Sequence, residues 1–368
     1  MKRRVFANAG AMALAFLACG PLMADHAAIE FSSVIDSTQG YSSFGTFPAM
    51  NNRGDVAFTA VQAIYGQGVF RAREEGEKLT VIARDGLQFF GDDVSMNASG
   101  VVAFSATTAL GSRALFKSDG KVTTLIADSL ANGLSRIGVG APSINAGGSV
   151  AFFASLAGRG AGSKVFHGEG GALTAVATTS QGGFSSFQNA AINAAGTVVF
   201  VANLSDGSRG VFTVPGAAGG LVTTTQRSDI DTFLDPVINE SGTVGDIAFL
   251  LPFDATLLFT ANARGFTARN DPANPAFTNA DHPSINNRGA VAFNALPDGG
   301  GPAGIFLEAS GGQSLIPVIR PGDKLFGSIV VKVDLGRFAL NDRFQMAFTY
   351  ALADGRSGIA IASFEGER

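Results

Sequence analysis

Asn51-Asn52-Arg53-Gly54-Asp55-Val56-Ala57-Phe58 opens a pattern that is written seven times along the 368-residue chain. It returns as Asn97-Ala98-Ser99-Gly100-Val101-Val102-Ala103-Phe104, and again from Asn145, Asn193, Asn239, Asn286 and Asn341, at steps of 46, 48, 48, 46, 47 and 55 residues. Asn-x-x-Gly is the signature of a type I turn: the Asn side chain bonds the backbone two residues on, and Gly at the fourth position takes the positive φ that closes a hairpin. The turn residues are Asn51 and Gly54, Asn97 and Gly100, Asn145 and Gly148, Asn193 and Gly196, Asn239 and Gly242, Asn286 and Gly289, and Asn341, which has no matching Gly. Val-Ala-Phe then alternates with period two, so Val56 and Phe58 share one strand face and the small Ala57 lets a neighbouring sheet approach on the other. An Asn repeated seven times in a turn is a structural part, so this stretch decides the fold and leaves the activity open.

A second pattern follows each motif after a short polar loop. Gly68-Val69-Phe70, Ala114-Leu115-Phe116, Lys164-Val165-Phe166, Gly210-Val211-Phe212, Leu257-Leu258-Phe259 and Gly304-Ile305-Phe306 are each succeeded by a turn and another β-rich run, such as Val122-Thr123-Thr124-Leu125-Ile126. With the run that enters the Asn, each unit reads as four short strands in about 47 residues, the size of a propeller blade. The seventh unit stops after Gly358-Ile359-Ala360 and lacks its last strand. Ile29-Glu30-Phe31-Ser32-Ser33-Val34-Ile35 resembles the fourth strands elsewhere, so the N-terminal strand is expected to complete the last blade and remove both free sheet edges. The expected fold is all-β, a seven-bladed β-propeller of four-stranded blades, forming one domain over residues 25–368.

Composition agrees with a closed β body. Gly is 48 of 368 residues and charged residues are 15%, which fits many tight turns on a weakly charged surface. Phe at 31, against no Trp and three Tyr, assigns the large apolar side chains to packing between blades. The net charge is −4, and falls to −7 without Lys2, Arg3 and Arg4. No cluster of Lys and Arg with aromatics occurs, which argues against nucleic-acid binding.

Residues 1–24 read as a secretory signal. Lys2-Arg3-Arg4 is its basic end, Val5 to Ala18 its apolar stretch, and Met23-Ala24 its cleavage region. The apolar run is short for a transmembrane helix, so no membrane span is expected in the mature chain. Phe16-Leu17-Ala18-Cys19-Gly20 also resembles a lipoprotein box, in which Cys19 is acylated. Cys19 is the one cysteine, so the mature body holds no disulfide. Either route exports the protein to the periplasm or the exterior, with an outer-membrane lipoprotein as the alternative.

Three places depart from the repeat. Asn239-Glu240-Ser241-Gly242-Thr243-Val244-Gly245-Asp246-Ile247-Ala248-Phe249 carries extra residues between Gly and Ala-Phe, predicting a longer or bulged hairpin in blade 5. Arg320-Pro321-Gly322-Asp323 through Val333 explains the 55-residue step and is expected to add a strand pair or a flap. Phe344 stands where the other units have Gly, so the last turn should differ in type, because a bulky residue at positive φ is costly.

The repeats resemble the bacterial NxxGxxAF tandem-repeat proteins, over essentially everything after the signal. The resemblance implies export and a surface or extracellular role, often with a sorting tail. Gly366-Glu367-Arg368 ends the sequence with no apolar helix, so covalent sorting is not expected. The family offers no catalytic residues to carry across.

The search for chemistry returns few leads. The three histidines, His26, His167 and His282, show no metal-ligand spacing. No Gly-x-Ser-x-Gly elbow occurs, and a body without Cys excludes a thiol nucleophile. The acidic groupings are Asp229, Asp231 and Asp235, the pair Asp92 and Asp93, and Asp271 with Asp281. They fall in connections from a fourth strand to the next first strand, which share one face of a propeller. Asp229, Asp231 and Asp235 are weak candidates for calcium, since the EF-hand order is missing. Carboxylates from different blades also suit a glycosidase or a lyase. The leading expectation is a monomeric, non-catalytic exported propeller, a scaffold that binds a protein or an envelope polysaccharide. A polysaccharide-acting propeller enzyme and a structural matrix or surface-layer component are the alternatives. Two or more carboxylates clustered with His282 within about hydrogen-bond reach of one point would favour the enzyme, and a smooth apolar or merely polar funnel would count against it.

Overall fold

The computed structural model describes residues 29–364, apart from 132, 139–141, 215–219, 225–229, 252–254, 263–264, 271–276, 298–299 and 310–314. Seven antiparallel sheets, each built on four strands, follow one another around a central axis. In blade 1 the inner strand is Tyr41–Phe44 with Ala49–Met50, followed outward by Val56–Gln62, Gly66–Ala72 and Thr80–Ala83. Blades 2 to 6 repeat this order, ending at Leu315–Ile319. In blade 7 the order outward is Ser328–Leu340, Gln345–Leu352, Ser357–Phe364 and then Ile29–Asp36. Ile29 pairs with Phe364 and Asp36 with Gly358, so the N-terminal strand closes the ring as the sequence predicts. No α-helix occurs among the described residues.

The Val-Ala-Phe alternation builds the contacts between blades. Val56 and Phe58 pack with Ala347, Ile359 and Ile361 of blade 7, while Ala57 packs with Val94, Val102 and Phe104 of blade 2. Five of the six motif phenylalanines also stack on a Phe of the next strand; the sixth, Phe348, pairs with Ala360. Phe58 on Phe70, Phe104 on Phe116, Phe152 on Phe166, Phe200 on Phe212 and Phe293 on Phe306 are stacked at 5.6–6.1 Å. Such pairs add about 0.5–1.5 kcal/mol beyond the area they bury.

Two of the expected irregularities are absent. In blade 5, Val244 pairs with Ile238 and Gly245 with Val237, as Val56 pairs with Met50 and Ala57 with Ala49. The turn keeps its bonds, Gly242 N–H to the Asn239 carbonyl at 3.0 Å and Asn239 N–H to the Thr243 carbonyl at 3.0 Å. Val244–Leu250 runs opposite Ala255–Asn262 with no register shift. The hairpin is therefore neither longer nor bulged: Val244-Gly245-Asp246 takes the places of Val-Ala-Phe, and Ala248-Phe249 matches the motif only by chance. Phe259, left without a motif Phe, stacks on Phe266 at 4.8 Å instead.

In blade 7 the turn type does not change. Phe344 itself adopts φ +55, and its N–H donates to the Asn341 carbonyl at 3.3 Å, as the Gly does elsewhere. The left-handed backbone costs roughly 1–2 kcal/mol. The Phe344 ring is fully buried beneath the Arg288 guanidinium, which offsets it by about 1.5–3 kcal/mol. The long connection before this blade forms a strand pair, Lys324–Leu325 with Ser328 and Ile329.

Candidate functional site: the central channel

The seven motif asparagines form a closed ring around the axis. Each Nδ2 donates to the backbone carbonyl of the next motif Asn: 51 to 97, 97 to 145, 145 to 193, 193 to 239, 239 to 286, 286 to 341, and 341 back to 51, at 3.0–3.4 Å. Each Oδ1 meanwhile accepts from the N–H four residues on, at 2.9–3.0 Å. One side chain thus closes its own turn and grips the neighbouring blade. Asn suits the position because it carries a donor and an acceptor on one short arm, where Asp has no donor and Ser reaches less far. Turn chemistry within one unit predicts the first role and is silent on the second.

The next residue adds a partial outer rim. Asn52 and Asn287 both donate to Asp342 Oδ2, at 2.6 and 2.8 Å, the Glu240 N–H donates to Asn287 Oδ1 at 2.8 Å, and the Ala194 N–H donates to Glu240 Oε2 at 2.6 Å. This rim surrounds a cavity of about 180 Å³, walled by Met50, Met96, Ile144, Ile192, Ile238 and Ile285 and closed at depth by Arg337 and Phe338.

On the far side of that closure lies a second row. On the described residues, six inner strands are interrupted just before their Asn. The residue four before the Asn falls in each: Phe47, Asp93, Asn189, Asp235, His282 and Arg337 in blades 1, 2, 4, 5, 6 and 7. Its blade 3 counterpart, Ala141, lies outside the described residues. A bulge releases a residue from the pleat and re-aims its side chain. Here the side chains meet across the axis. The Phe47 ring stacks on the His282 imidazole at 4.2 Å, from blade 1 to blade 6. Arg337 Nη2 donates to the Pro236 carbonyl at 2.5 Å, from blade 7 to blade 5. Asn189 Nδ2 donates to Asp235 Oδ1. Phe338 packs against the apolar clusters of both blades 1–2 and blades 4–5, and so stoppers the channel.

The electrostatics of this row are shared between blades. Burial pushes the Asp93 carboxyl up to about 6, against the opposing pull of Arg337 and His282. His282 rises above its ordinary value: burial alone would lower it, but Asp281, Asp235 and Asp93 outweigh that. Asp281 falls, because His282 and Asn294 outweigh its burial. His282 Nδ1 and Asp281 Oδ1 lie 3.0 Å apart but are not aligned for a hydrogen bond, so the contact is one of charge. His282 also sits at φ +51, a strained backbone of the kind that clusters at functional sites. Asp246, in the place of a motif Phe, is wholly buried, and desolvation drives its carboxyl well above the ordinary range.

The residues singled out by sequence are distributed unevenly. Asp231 is exposed on the inner strand of blade 5, Asp235 lies in the channel row, and Asp229 and Asp271 fall outside the described residues, as do residues 1–24 with Cys19, and His26. No group of three His, Cys, Asp or Glu is arranged to hold a metal among the described residues. Asp93, Asp235, Asp281 and His282 are brought together, whereas His167 bonds Ser149 through Nδ1 at 2.9 Å, away from them. Phe47, Asn189 and Arg337 were missed. The signal that finds them is their constant offset from the motif Asn.

Residues 23–207, half of the chain, match the family of unknown function DUF7453. No curated protein matches the sequence. Among solved structures the chain is similar to an oligogalacturonate lyase in complex with manganese, with TM-score 0.59, 10% identity, and coverage of 93% of this chain and 98% of that one. It is also similar to prolyl oligopeptidase B from Galerina marginata, with TM-score 0.54, 10% identity, and coverage of 85% and 47%. A puromycin-hydrolyzing peptidase of Mycobacterium tuberculosis gives TM-score 0.52, 13% identity, and coverage of 87% and 52%. The chain spans about half the length of these two peptidases, and at such identities the likeness is one of fold. No described helix is long and apolar enough to cross a membrane.

Proposed function

The chain belongs to the DUF7453 family and is a seven-bladed propeller, and from that premise we propose that it is an exported binding protein whose ligand enters the channel over the bulge row. Within the family we read it as one of the NxxGxxAF repeat proteins, exported through residues 1–24 or anchored through Cys19. The supporting observation is the row itself. Where the fold alone sets the requirement, one residue is used seven times, as in the Asn ring. Four residues earlier the same strands carry Phe47, Asp93, Asn189, Asp235, His282 and Arg337, all directed at one axis. Carboxylates and an amide beside an aromatic pair match a hydroxyl-rich ligand, and an envelope saccharide is the class we favour. The test is thermal unfolding of residues 25–368 with neutral and acidic oligosaccharides, peptidoglycan fragments, calcium and chelator. One saccharide class should stabilise the protein saturably, by about 2.7 kcal/mol at a hundredfold excess over Kd, and Asn189→Ala should weaken the effect. No response to any saccharide overturns this reading.

A second reading has its own support. Burial lowers the His282 imidazole but its acidic neighbours raise it further, and burial pushes the nearby Asp93 carboxyl up to about 6. An acid and a base brought to one point suit a glycosidase or a lyase. Release of reducing ends or of unsaturated products, abolished in His282→Ala, would move the assignment to an enzyme.

A further inference from the structure

The break in the inner strand of blade 2 has two ends. Leu87–Gln88 and Val94–Met96 both pair with Val102–Thr108, and between them the chain runs from Phe89 to Asp93 of the channel row. Phe89 adopts φ +45, a left-handed backbone that a bulky residue takes only at a cost. Phe344 offsets that cost by burying its ring, whereas the Phe89 ring is 75% exposed. The chain nonetheless holds it there. The Phe90 N–H donates to Gln67 Oε1 at 3.0 Å, Gln67 Nε2 donates to the Phe90 carbonyl at 3.2 Å, and the Gly91 N–H donates to the Ser105 carbonyl at 2.9 Å. Gln67 belongs to blade 1, two residues past Tyr65. Tyr65 stands at the tip of the hairpin between Val56–Gln62 and Gly66–Ala72. It is 62% exposed, and the Arg84 guanidinium lies over its ring at 4.5 Å while Arg84 Nη1 donates to Gln62 Oε1 at 3.2 Å. The fold needs only a Gly at the end of this tip. Gly66, Gly207 and Gly355 take φ between +76 and +88, and blades 4 and 7 precede it with Asp206 and Asp354 where blade 1 has Tyr65.

A solvated ring on a strained backbone and a second ring braced by a guanidinium are thus joined through one glutamine. An apolar group kept exposed at a cost, with polar residues round it, marks a surface that is covered in use. Asp85 and Asp92 are exposed and flank Phe89 in the same connection. Charges so placed oppose insertion of the two rings into lipid, and they accept hydrogen bonds from hydroxyls. Aromatic rings beside carboxylates repeat the chemistry of the channel row, where Phe47 bridges to Asp93 through the backbone. Phe89 and Asp93 are four residues apart, a reach of at most about 14 Å, so a ligand longer than a single sugar can touch both. We propose that Tyr65 and Phe89 form an outer subsite that stacks the units of a saccharide chain leaving the channel, so that the protein takes a polymer in preference to a free sugar. The inference rests on the saccharide reading above and extends it from the channel to blades 1 and 2.

The test titrates the protein isolated after export with N-acetylglucosamine and with galacturonate, each as monomer, dimer and hexamer, and with phosphatidylglycerol vesicles as a comparison. Melting temperature and acrylamide quenching of tyrosine emission are the readouts. The chain has no Trp and three Tyr, of which Tyr41 and Tyr350 are buried, so the emission that acrylamide reaches is that of Tyr65. The hexamer of one class should raise the melting temperature more than its monomer does, and should protect Tyr65 from the quencher with the same midpoint. Phe89→Gly suits the left-handed backbone and so keeps the fold. It should weaken the hexamer toward its monomer by about tenfold, the factor carried by one aromatic contact. Tyr65→Asp, the residue that blades 4 and 7 carry there, should do the same. Asn189→Ala, in the channel, should weaken every length alike. Equal responses to monomer and hexamer, or an undiminished hexamer response in Phe89→Gly, would overturn the outer subsite and leave the channel reading standing. Protection of Tyr65 by vesicles, or by rising protein concentration, with none from a hexamer would assign the rings to lipid or to a second copy and overturn it too. No response to either saccharide class would remove both readings.

Discussion

Asn286→Asp isolates one bond of the asparagine ring. Asn286 is 3% exposed, and its Oδ1 accepts from the N–H groups of Arg288 and Ala290, both at 3.0 Å. The substitution keeps the shape and both of those bonds. It replaces only the Nδ2 donor, which sits 3.2 Å from the Asn341 carbonyl oxygen, with a second carboxylate oxygen. The Asn341 carbonyl is not orphaned, because the Phe344 N–H still reaches it at 3.3 Å. The loss is therefore one hydrogen bond, about 1 kcal/mol, plus about 1–3 kcal/mol for a buried carboxylate oxygen facing another oxygen. Together these give a destabilisation of about 2–4 kcal/mol, a large share of the ~5–15 kcal/mol that holds a typical domain folded. Urea unfolding at pH 7 measures it, with an unchanged m-value showing that the same surface unfolds. Ala98→Asp is the control, since it adds the same charge at an exposed position one residue past a ring Asn. A loss in Asn286→Asp of less than about 0.5 kcal/mol, the range of surface substitutions, would refute the ring as a stabilising device.

Two further outcomes follow from the channel and from the closure. Below about pH 4 Asp93 is protonated folded and unfolded and contributes nothing; between there and about pH 6 the unfolded chain gives up its proton first, so stability falls as pH rises, by up to about 3 kcal/mol. Asp93→Asn lacks that slope, so its stability relative to the wild type should rise between pH 4 and pH 8; urea midpoints that differ by the same amount at both pH values would contradict the burial of this carboxyl. Deleting Ile29–Asp36 strips the pairing from Ser357–Phe364 and exposes the wholly buried Ile359 and Ile361. The deletion should unfold less cooperatively and associate with rising concentration through its open edge, and a monomer with an unchanged melting temperature would show that closure is dispensable.

The blade count, strand order and closing strand were legible because the repeat states them several times over, and errors in one unit are corrected by the others. Blade 5 was misread for a local reason. Ala248-Phe249 looks like the end of the motif, and only the pairing of Val244 with Ile238 shows that Gly245-Asp246 holds those places. Phe344 was misjudged because propensity prices the backbone alone, while its ring recovers the cost by burial under Arg288. The second bond of each Asn was invisible for a different reason. Its acceptor lies about 47 residues away, and no periodicity within a unit encodes a contact between units. The channel row was half legible: Asp93, Asp235 and His282 stood out as polar residues in connections, but Phe47 and Arg337 carry no local signal.

The departures from the repeat are not scattered, and their placement bears on function. Six blades put a Phe at the third position of the motif strand: Phe58, Phe104, Phe152, Phe200, Phe293 and Phe348. Blade 5 puts Asp246 there, wholly buried, with Oδ2 unpartnered. Burying an acid in place of a Phe costs free energy, and six neighbouring blades show that the fold does not require it. Asp246 lies within the fields of Asp235 and Arg337, and Arg337 is held by the Pro236 carbonyl of the same blade. His282, with its strained backbone, comes from the next blade round. Blades 5 to 7 therefore carry Asp246, His282 and Arg337, and blade 2 adds Asp93 to the same channel, while every blade but the fifth keeps its motif phenylalanine. A scaffold under selection for closure alone would spread such costs at random or remove them. Their gathering in the channel is what the proposed binding role requires, and Asp246→Phe should therefore raise stability while weakening the saccharide response.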